Sequence, residues 1–401
     1  SQGGGVFSRQ DKAIAISSAM KQAFTIEADS LTPDELIHAL LKSPVDLIWN
    51  GGIGTYVKST QESHADVGDR ANDAVRIDGH ELQAKVIGEG GNLGMTQRGR
   101  IEFAQAGGRL YTDAIDNSAG VNCSDHEVNI KILLDGIVAQ GDMTVKQRNE
   151  LLASMTDDVA KLVLRQNYLQ PQAIELSAMQ ATANLSLQQK FMQYLESEER
   201  LDRAIEFLPS DEEIARRQKA GQGLTNPELS VLLAYGKMWV YDHLLESDVP
   251  DDGYFIQEMR KYFPTVLSER YFEQMQQNPL HREIISTYLT NSLVNRLGIE
   301  DIYRMVDELG VSISSVVKSY SVMRDVFDIS QYWQLFEALD NQIDSQQQLT
   351  LELCLRQDLT QSMYWLIQQF GEDFDVTAVS TQLSDGMASL THQTFDNQPR
   401  T

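Results

Sequence analysis

The chain has 401 residues, 42% of them hydrophobic and 23% charged, which suits two or three folded domains rather than a disordered segment. Its 58 Asp and Glu against 33 Lys and Arg give a formal charge of -25, which repels phosphate backbones and argues against a nucleic-acid partner; the acidity itself reads as a solubility device. No uncharged apolar run approaches the roughly 18 residues of a membrane span, the opening SQGGGVFSRQ lacks a signal-peptide core, and Cys123 and Cys354 are too far apart in sequence to suggest a disulfide framework or metal knuckle. A cytoplasmic protein without membrane association is therefore expected.

Gly3 to Ser8 reads as a loop, Lys12 to Ser17 as a short extended piece and Ser18 to Phe24 as a small helix. Thr32-Pro33-Asp34-Glu35 predicts a helix start, with Thr32 as cap, Pro33 at the first helical position and Glu35 reaching back. Val45 to Trp49 has the length of a buried strand and runs into Asn50-Gly51-Gly52. Thr55 to Leu82 is a polar insertion. Its His64, Asp66, Asp69 and Asp73 match no compact metal signature, so an ordered hydrogen-bonded loop is favoured over a metal site.

The stretch from Lys85 to Glu127 organises the rest. Val86-Ile87 reads as a strand ending in the turn Gly88-Glu89-Gly90-Gly91-Asn92, Thr96 to Ala106 as a helix, and Leu110 to Thr112 as a further strand. This is a βαβ rhythm, and open parallel sheets bind ligands at the carboxyl ends of their strands. Asn92 and the turn Asn117-Ser118-Ala119-Gly120 fall at that edge. The turn from Asn117 to Asp125 then leads into a helix from Asp125 to Val138. Cys123, Asp125 and His126 cluster there, but neither an orienting partner nor a feature that lowers a thiol pKa is visible, so packing or capping is favoured over thiol or metal chemistry.

From about Gly141 the sequence predicts a succession of helices, among them Asp157 to Tyr168, Leu187 to Glu199, Asp211 to Lys219, Pro227 to Leu245, Tyr254 to Phe263, Ser268 to Gln277, Arg282 to Leu297, Asp301 to Leu309, Ile313 to Phe327, Gln331 to Leu339 and Leu349 to Gln369. The apolar run from Val231 to Val240 leaves almost no polar face and predicts a helix central to a bundle. Trp333, Phe336, Tyr364 and Trp365 read as core residues rather than stacking platforms. Ser389 to Thr401 offers little to bury and is expected to fray. The fold class is thus α/β followed by all-α, a partial Rossmann-like nucleotide-binding domain over 1–140 and a helical C-terminal domain over 141–401.

The run NGGIGTYVKSTQESHADVGDRANDAVRIDG, then KVIGEGGNLGMTQRGRIEFAQAGGRLYTDAIDNSAGVNCSDHEVNIK, and downstream TNPELSVLLAYGKMWVYDHLLESDVP closely resemble the large bacterial NAD-specific glutamate dehydrogenases, as does GGGVFSR near the start. That resemblance implies NAD-dependent oxidative deamination of L-glutamate to 2-oxoglutarate and ammonium, or its reverse. Glu89-Gly90-Gly91-Asn92 resembles the EGAN turn of the smaller glutamate dehydrogenases, which assigns Gly90, Gly91 and Asn92 to the cofactor. Asn117 to Val121 and Ser124 are similar to that family's NAGGV turn and the serine after it. The likeness gives Asn117 the nicotinamide end, Val121 the wall of the substrate pocket, and Ser124 a hydrogen bond to the distal carboxylate. Asn50, Gly51 and Gly52 occupy the strand-end turn bordering the cofactor. An asparagine offers the donor and acceptor that a carboxamide needs, and a residue without Cβ at Gly51, Gly90 or Gly120 lets backbone approach a planar ring.

The dinucleotide fingerprint and the family's catalytic lysine and aspartate are not found, so the catalytic residues are expected upstream of Ser1. The chain reads as a C-terminal portion, inactive alone, of a homo-oligomeric enzyme. Lys58 and Lys85 are available cations with no assigned role. The competing reading is a non-enzymatic helical module for oligomerisation or for binding a regulatory ligand.

Overall fold

The computed structural model describes residues 3–396, with side chains described as far as 387. The residues group into two compact units, one comprising the chain up to Asn122 with Ala181–Leu232, the other Cys123–Gln180 with the chain from Leu233 onward. The architecture is a mixed β/α region of partial Rossmann-like character, followed by a long, mostly helical region.

In the first unit every sheet has two strands. Ile14–Ala15 pairs antiparallel with Ser30–Leu31, Leu47–Asn50 parallel with Val86–Glu89, and Val57–Lys58 parallel with Ile77–Asp78. The helix Pro33–Leu41 starts at a capping box, Thr32 accepting the Glu35 N–H while the Glu35 carboxylate accepts the Thr32 N–H. Gln97–Gln105 is likewise capped by Thr96. Val57, Ile77, Leu82, Ile87, Met95, Phe103 and Leu110 form the core beneath the parallel pair. Burying each such side chain stabilises the fold by roughly 1.5–3 kcal/mol.

Several expectations are corrected here. Leu47–Asn50 is not a buried strand: Leu47 and Trp49, on one face, are 54% and 61% exposed, while Ile48 on the other packs against the core. The strand expected at Leu110 to Thr112 reduces to one bridge, Val86 to Arg109, since only the Arg109 backbone reaches the ladder. Asn117 to Asp125 is not a turn. A short helix Asp113–Asp116 is followed directly by Ser118–Gln140, and Gly120 keeps a negative φ, so nothing in that segment breaks a helix.

The second unit is built on the long helix His281–Leu309, whose Ile285, Leu293, Val294, Leu297, Ile302 and Met305 are fully buried. It packs against Thr156–Met179, Ile313–Val326 and Ser345–Phe370. Two predicted helices are joined in it across a kink at Gly298, where φ is 69°. The expected helix from Tyr254 to Phe263 is instead two short pieces, Gly253–Ile256 and Met259–Tyr262. Val145–Ser154 was missed although Thr144 and Gln147 form a capping box, and Val376–Asp396 was also missed. Residues 397–401 of the expected fraying tail lie outside the described residues; its earlier part belongs to that last helix.

The helix Asn226–Glu246 is not covered all round, since Met238 is 49% exposed. Among the four aromatics expected in the core, Trp333 is buried under the Arg296 guanidinium, Phe336 and Tyr364 are half-buried, and Trp365 is exposed.

Candidate functional site

The parallel strands Leu47–Asn50 and Val86–Glu89 run in register, Asn50 opposite Glu89, so both glycine turns leave the same edge. The turns touch. Gly91 N–H donates to the Asn50 carbonyl at 3.1 Å, and a Cβ on Gly91 would overlap the Gly52 carbonyl oxygen. A Cβ on Gly90 would sit 2.6 Å from the Trp49 indole. The absence of a side chain at Gly91 is thus required by backbone packing, whereas Gly90 faces only the exposed Trp49 side chain, and Gly51 and Gly120 have no such close neighbour.

Asn50 is half-buried and its Oδ1 accepts the Gly52 N–H. Asn92 and Asn117 are brought together, Asn117 Nδ2 donating to Asn92 Oδ1 at 2.5 Å. Asn50, Gly51 and Gly52 line a mainly apolar cavity of about 260 Å³ with Ile37, Tyr56 and Met95. Gly90, Gly91, Asn92 and Asn117 lie outside its lining, on the adjoining surface. Val121 and Ser124 are exposed residues on the helix Ser118–Gln140.

Beneath the turn lies a carboxylate network not anticipated from the sequence. Glu89 is fully buried and receives Arg100 Nε at 2.7 Å, Arg100 Nη2 at 3.0 Å and the Met95 N–H at 3.0 Å. Asp113 lies 3.2 Å from Arg100 Nη2 and accepts the Leu93 N–H; Asp116 accepts the Glu89 N–H at 2.9 Å. Burial raises the Glu89 carboxyl pKa against the pull of Arg100. Burial, with the Glu89 and Asp113 charges adding to it, pushes Asp116 up to about 6, against the Glu89 N–H bond and Arg100. Arg100 at i+11 from Glu89 is the available sequence signal, but no local periodicity marks that pair.

The insertion from Thr55 to Leu82 is ordered around Arg76, whose side chain is buried; it donates to the Thr55 and Asp69 carbonyls and to Asp73, and contacts His64 Nδ1 at 2.8 Å. Lys58 is buried against Asp78, and Lys85 pairs with Asp46 at 2.8 Å, so both expected cations have carboxylate partners. Glu102 ties the insertion to the helix Gln97–Gln105. Against its burial, hydrogen bonds from Ser59, Thr60 and His80 hold its pKa down at about 2. In the second unit His126 stacks on Tyr262 at 4.5 Å, and burial lowers its pKa. Cys123 and Cys354 are free thiols, half-buried and exposed respectively.

A polar cavity of about 600 Å³ in the first unit is bordered by Arg98, Arg203, Arg216 and Arg217. Arg203, Arg216 and Arg217 are matched there by Glu196, Asp211, Glu213 and Glu228, while Arg98 lies 4.8 Å over the Phe207 ring.

Residues 1–177 match the family described as bacterial NAD-glutamate dehydrogenase, catalytic domain, and residues 221–397 match glutamate dehydrogenase, C-terminal. The NAD-specific glutamate dehydrogenase of Pseudomonas aeruginosa is 50% identical over 390 residues, 97% of this chain and 24% of that protein. That of Halomonas elongata is 49% identical over 92% of the chain and 23% of its own length. The Mycobacterium tuberculosis protein is 42% identical over 98% of the chain and 24% of its own length. The chain thus spans about a quarter of the length of the curated relatives it matches.

Proposed function

We propose that the chain, whose two parts match the bacterial NAD-glutamate dehydrogenase catalytic domain and the glutamate dehydrogenase C-terminal family, supplies part of the cofactor and substrate site, with the helical domain, of an enzyme interconverting L-glutamate with 2-oxoglutarate and ammonium. The observation that carries this reading is the pair of glycine turns packed together at one parallel strand edge, with Asn50, Asn92 and Asn117 around them. Ligands of open α/β sheets bind at such an edge.

The residues fit NAD in the chemistry of their groups. Asparagine amides complement a carboxamide with both donor and acceptor, and the apolar cavity beside Asn50 suits a ring face. Asn50, Gly51, Gly52, Gly90, Gly91, Asn92 and Asn117 are the residues assigned to it; when bound, NAD supplies the hydride acceptor. The chain's own part is to orient: the Asn117 to Asn92 hydrogen bond fixes both amides, and the Gly91 N–H occupies the Asn50 carbonyl. Val121 and Ser124 are assigned to substrate, Ser124 donating to a carboxylate that a hydroxyl orients without neutralising. General acid–base groups are assigned to the rest of the longer protein. The working division remains 1–140 for the cofactor part and 141–401 for the helical domain, in a cytoplasmic homo-oligomer.

NADH oxidation by the full-length protein tests this. Consumption requiring both 2-oxoglutarate and ammonium is expected, and its absence in both directions overturns the reading. A second role, assembly through the helical domain, is supported by Tyr332 and Leu335, 49% and 62% exposed at i,i+3 on the helix Ile329–Glu337.

A further inference from the structure

We propose that Arg100 is a positioning residue that sets the conformation of the cofactor turn from beneath, working through Glu89 and Asp113; the inference rests on the cofactor reading given above. One guanidinium grips two carboxylates, and each carboxylate ends on a backbone amide. Arg100 holds Glu89 through two hydrogen bonds, and Glu89 Oε1 accepts the Met95 N–H at 3.0 Å. Arg100 Nη2 also stands 3.2 Å from Asp113, whose other oxygen accepts the Leu93 N–H at 2.7 Å. The two tethered amides flank Gly94.

Gly94 is where the turn meets the strand edge. A Cβ there would overlap the Asn50 side-chain amide, and the Gly94 carbonyl accepts the Tyr56 N–H at 2.8 Å. Fixing Leu93 and Met95 therefore fixes the backbone against which the Asn50 amide rests. Leu93 needs such fixing: its φ is 57°, a left-handed conformation that costs a non-glycine residue on the order of 1–3 kcal/mol and persists only when its surroundings impose it. Its side chain is 64% exposed, so core packing does not impose it. The Asp113 tether on its N–H does, together with the Thr55 hydroxyl, which donates to the Leu93 carbonyl at 2.7 Å. Arginine rather than lysine is required because the planar fork reaches both carboxylates at once, whereas an ammonium is a single point charge.

Site-resolved amide hydrogen exchange on the 401-residue chain tests the clamp directly. In Arg100→Lys, exchange at both Leu93 and Met95 is expected to accelerate about tenfold or more, the loss of one hydrogen bond to a charged group. In Asp113→Ala, which leaves the Glu89 pair intact, Leu93 is expected to accelerate and Met95 to stay slow. Amides of Ile285 and Leu293, in the other unit, serve as controls. Unchanged exchange at Leu93 in Asp113→Ala overturns the clamp, even if Arg100→Lys fails to fold. In the full-length protein, Arg100→Lys is expected to raise KM for NADH about tenfold while kcat changes much less. Equal loss in kcat with unchanged KM overturns the positioning role. Absence of NADH turnover by the unmodified full-length protein would instead strike the cofactor reading, leaving the exchange result to judge the clamp.

Discussion

Gly91 lies against the Gly52 carbonyl, so a single methyl group is enough to separate the two turns. Gly91→Ala is expected to destabilise the first unit by ~1–3 kcal/mol through overpacking and to weaken NADH binding; unchanged thermal unfolding and NADH titration would show that the turns part freely. Asp116 gives a pH prediction. Its carboxyl holds a proton up to about 6 when folded, against 3.8 as a reference carboxyl. The folded state thus binds the proton more tightly, so the contribution of Asp116 to stability is complete below the reference pKa and is lost as pH rises through about 6. Asp116→Asn, which keeps an acceptor for the Glu89 N–H, is expected to flatten the decline of Tm between those two values. A slope identical to that of the unmodified chain, measured by calorimetry across that window, would count against it.

At the scale of elements, two glycines in helices make opposite predictions. Gly298 kinks His281–Leu309 with φ 69°, and a Cβ there would lie 2.5 Å from the Arg356 guanidinium, which Asp301 holds at 2.7 Å. Gly298→Ala is expected to cost about 2 kcal/mol or more in urea unfolding. Gly136 sits in Ser118–Gln140 with no neighbour near its Cβ position, and Gly136→Ala is expected to stabilise by ~0.5–1 kcal/mol. Local signals marked many of these elements. Thr32 with Glu35 opens a helix where capping chemistry predicts one; Ser210 caps another, and Gly310 closes one in the left-handed conformation. Val145–Ser154 carried the same kind of signal in Thr144 and Gln147 and was legible too. The segment after Asn117 was not, because a helix start and a loop share its small polar residues, and only the run of Ser118–Gln140 decides between them.

For the whole molecule, an acidic chain of net charge -25 leaves exposed apolar side chains on Ile329–Glu337. If these mediate assembly, Leu335→Asp lowers the mass of the full-length protein measured by light scattering; a mass unchanged by the substitution assigns assembly elsewhere. No helix among the described residues is long and apolar enough to cross a membrane.

The sequence by itself determined the β/α-then-helical order, because glycine turns, caps and apolar periodicity are local chemistry written in consecutive residues; the likeness to the bacterial NAD-glutamate dehydrogenases rests instead on longer motif runs. It also put Asn92 at the carboxyl end of a strand, while the resemblance set Asn50 at a neighbouring strand end; that the two strands pair in parallel, Asn50 opposite Glu89, came from the tertiary structure. Only the tertiary structure decided that Gly91 packs on Gly52, that Trp49 is exposed, and that Arg100 joins Glu89 to Asp113 beneath the turn. Those facts depend on which residues distant in sequence share a small volume, and on the strength a charge pair gains when both partners leave water, neither of which is encoded at any fixed spacing.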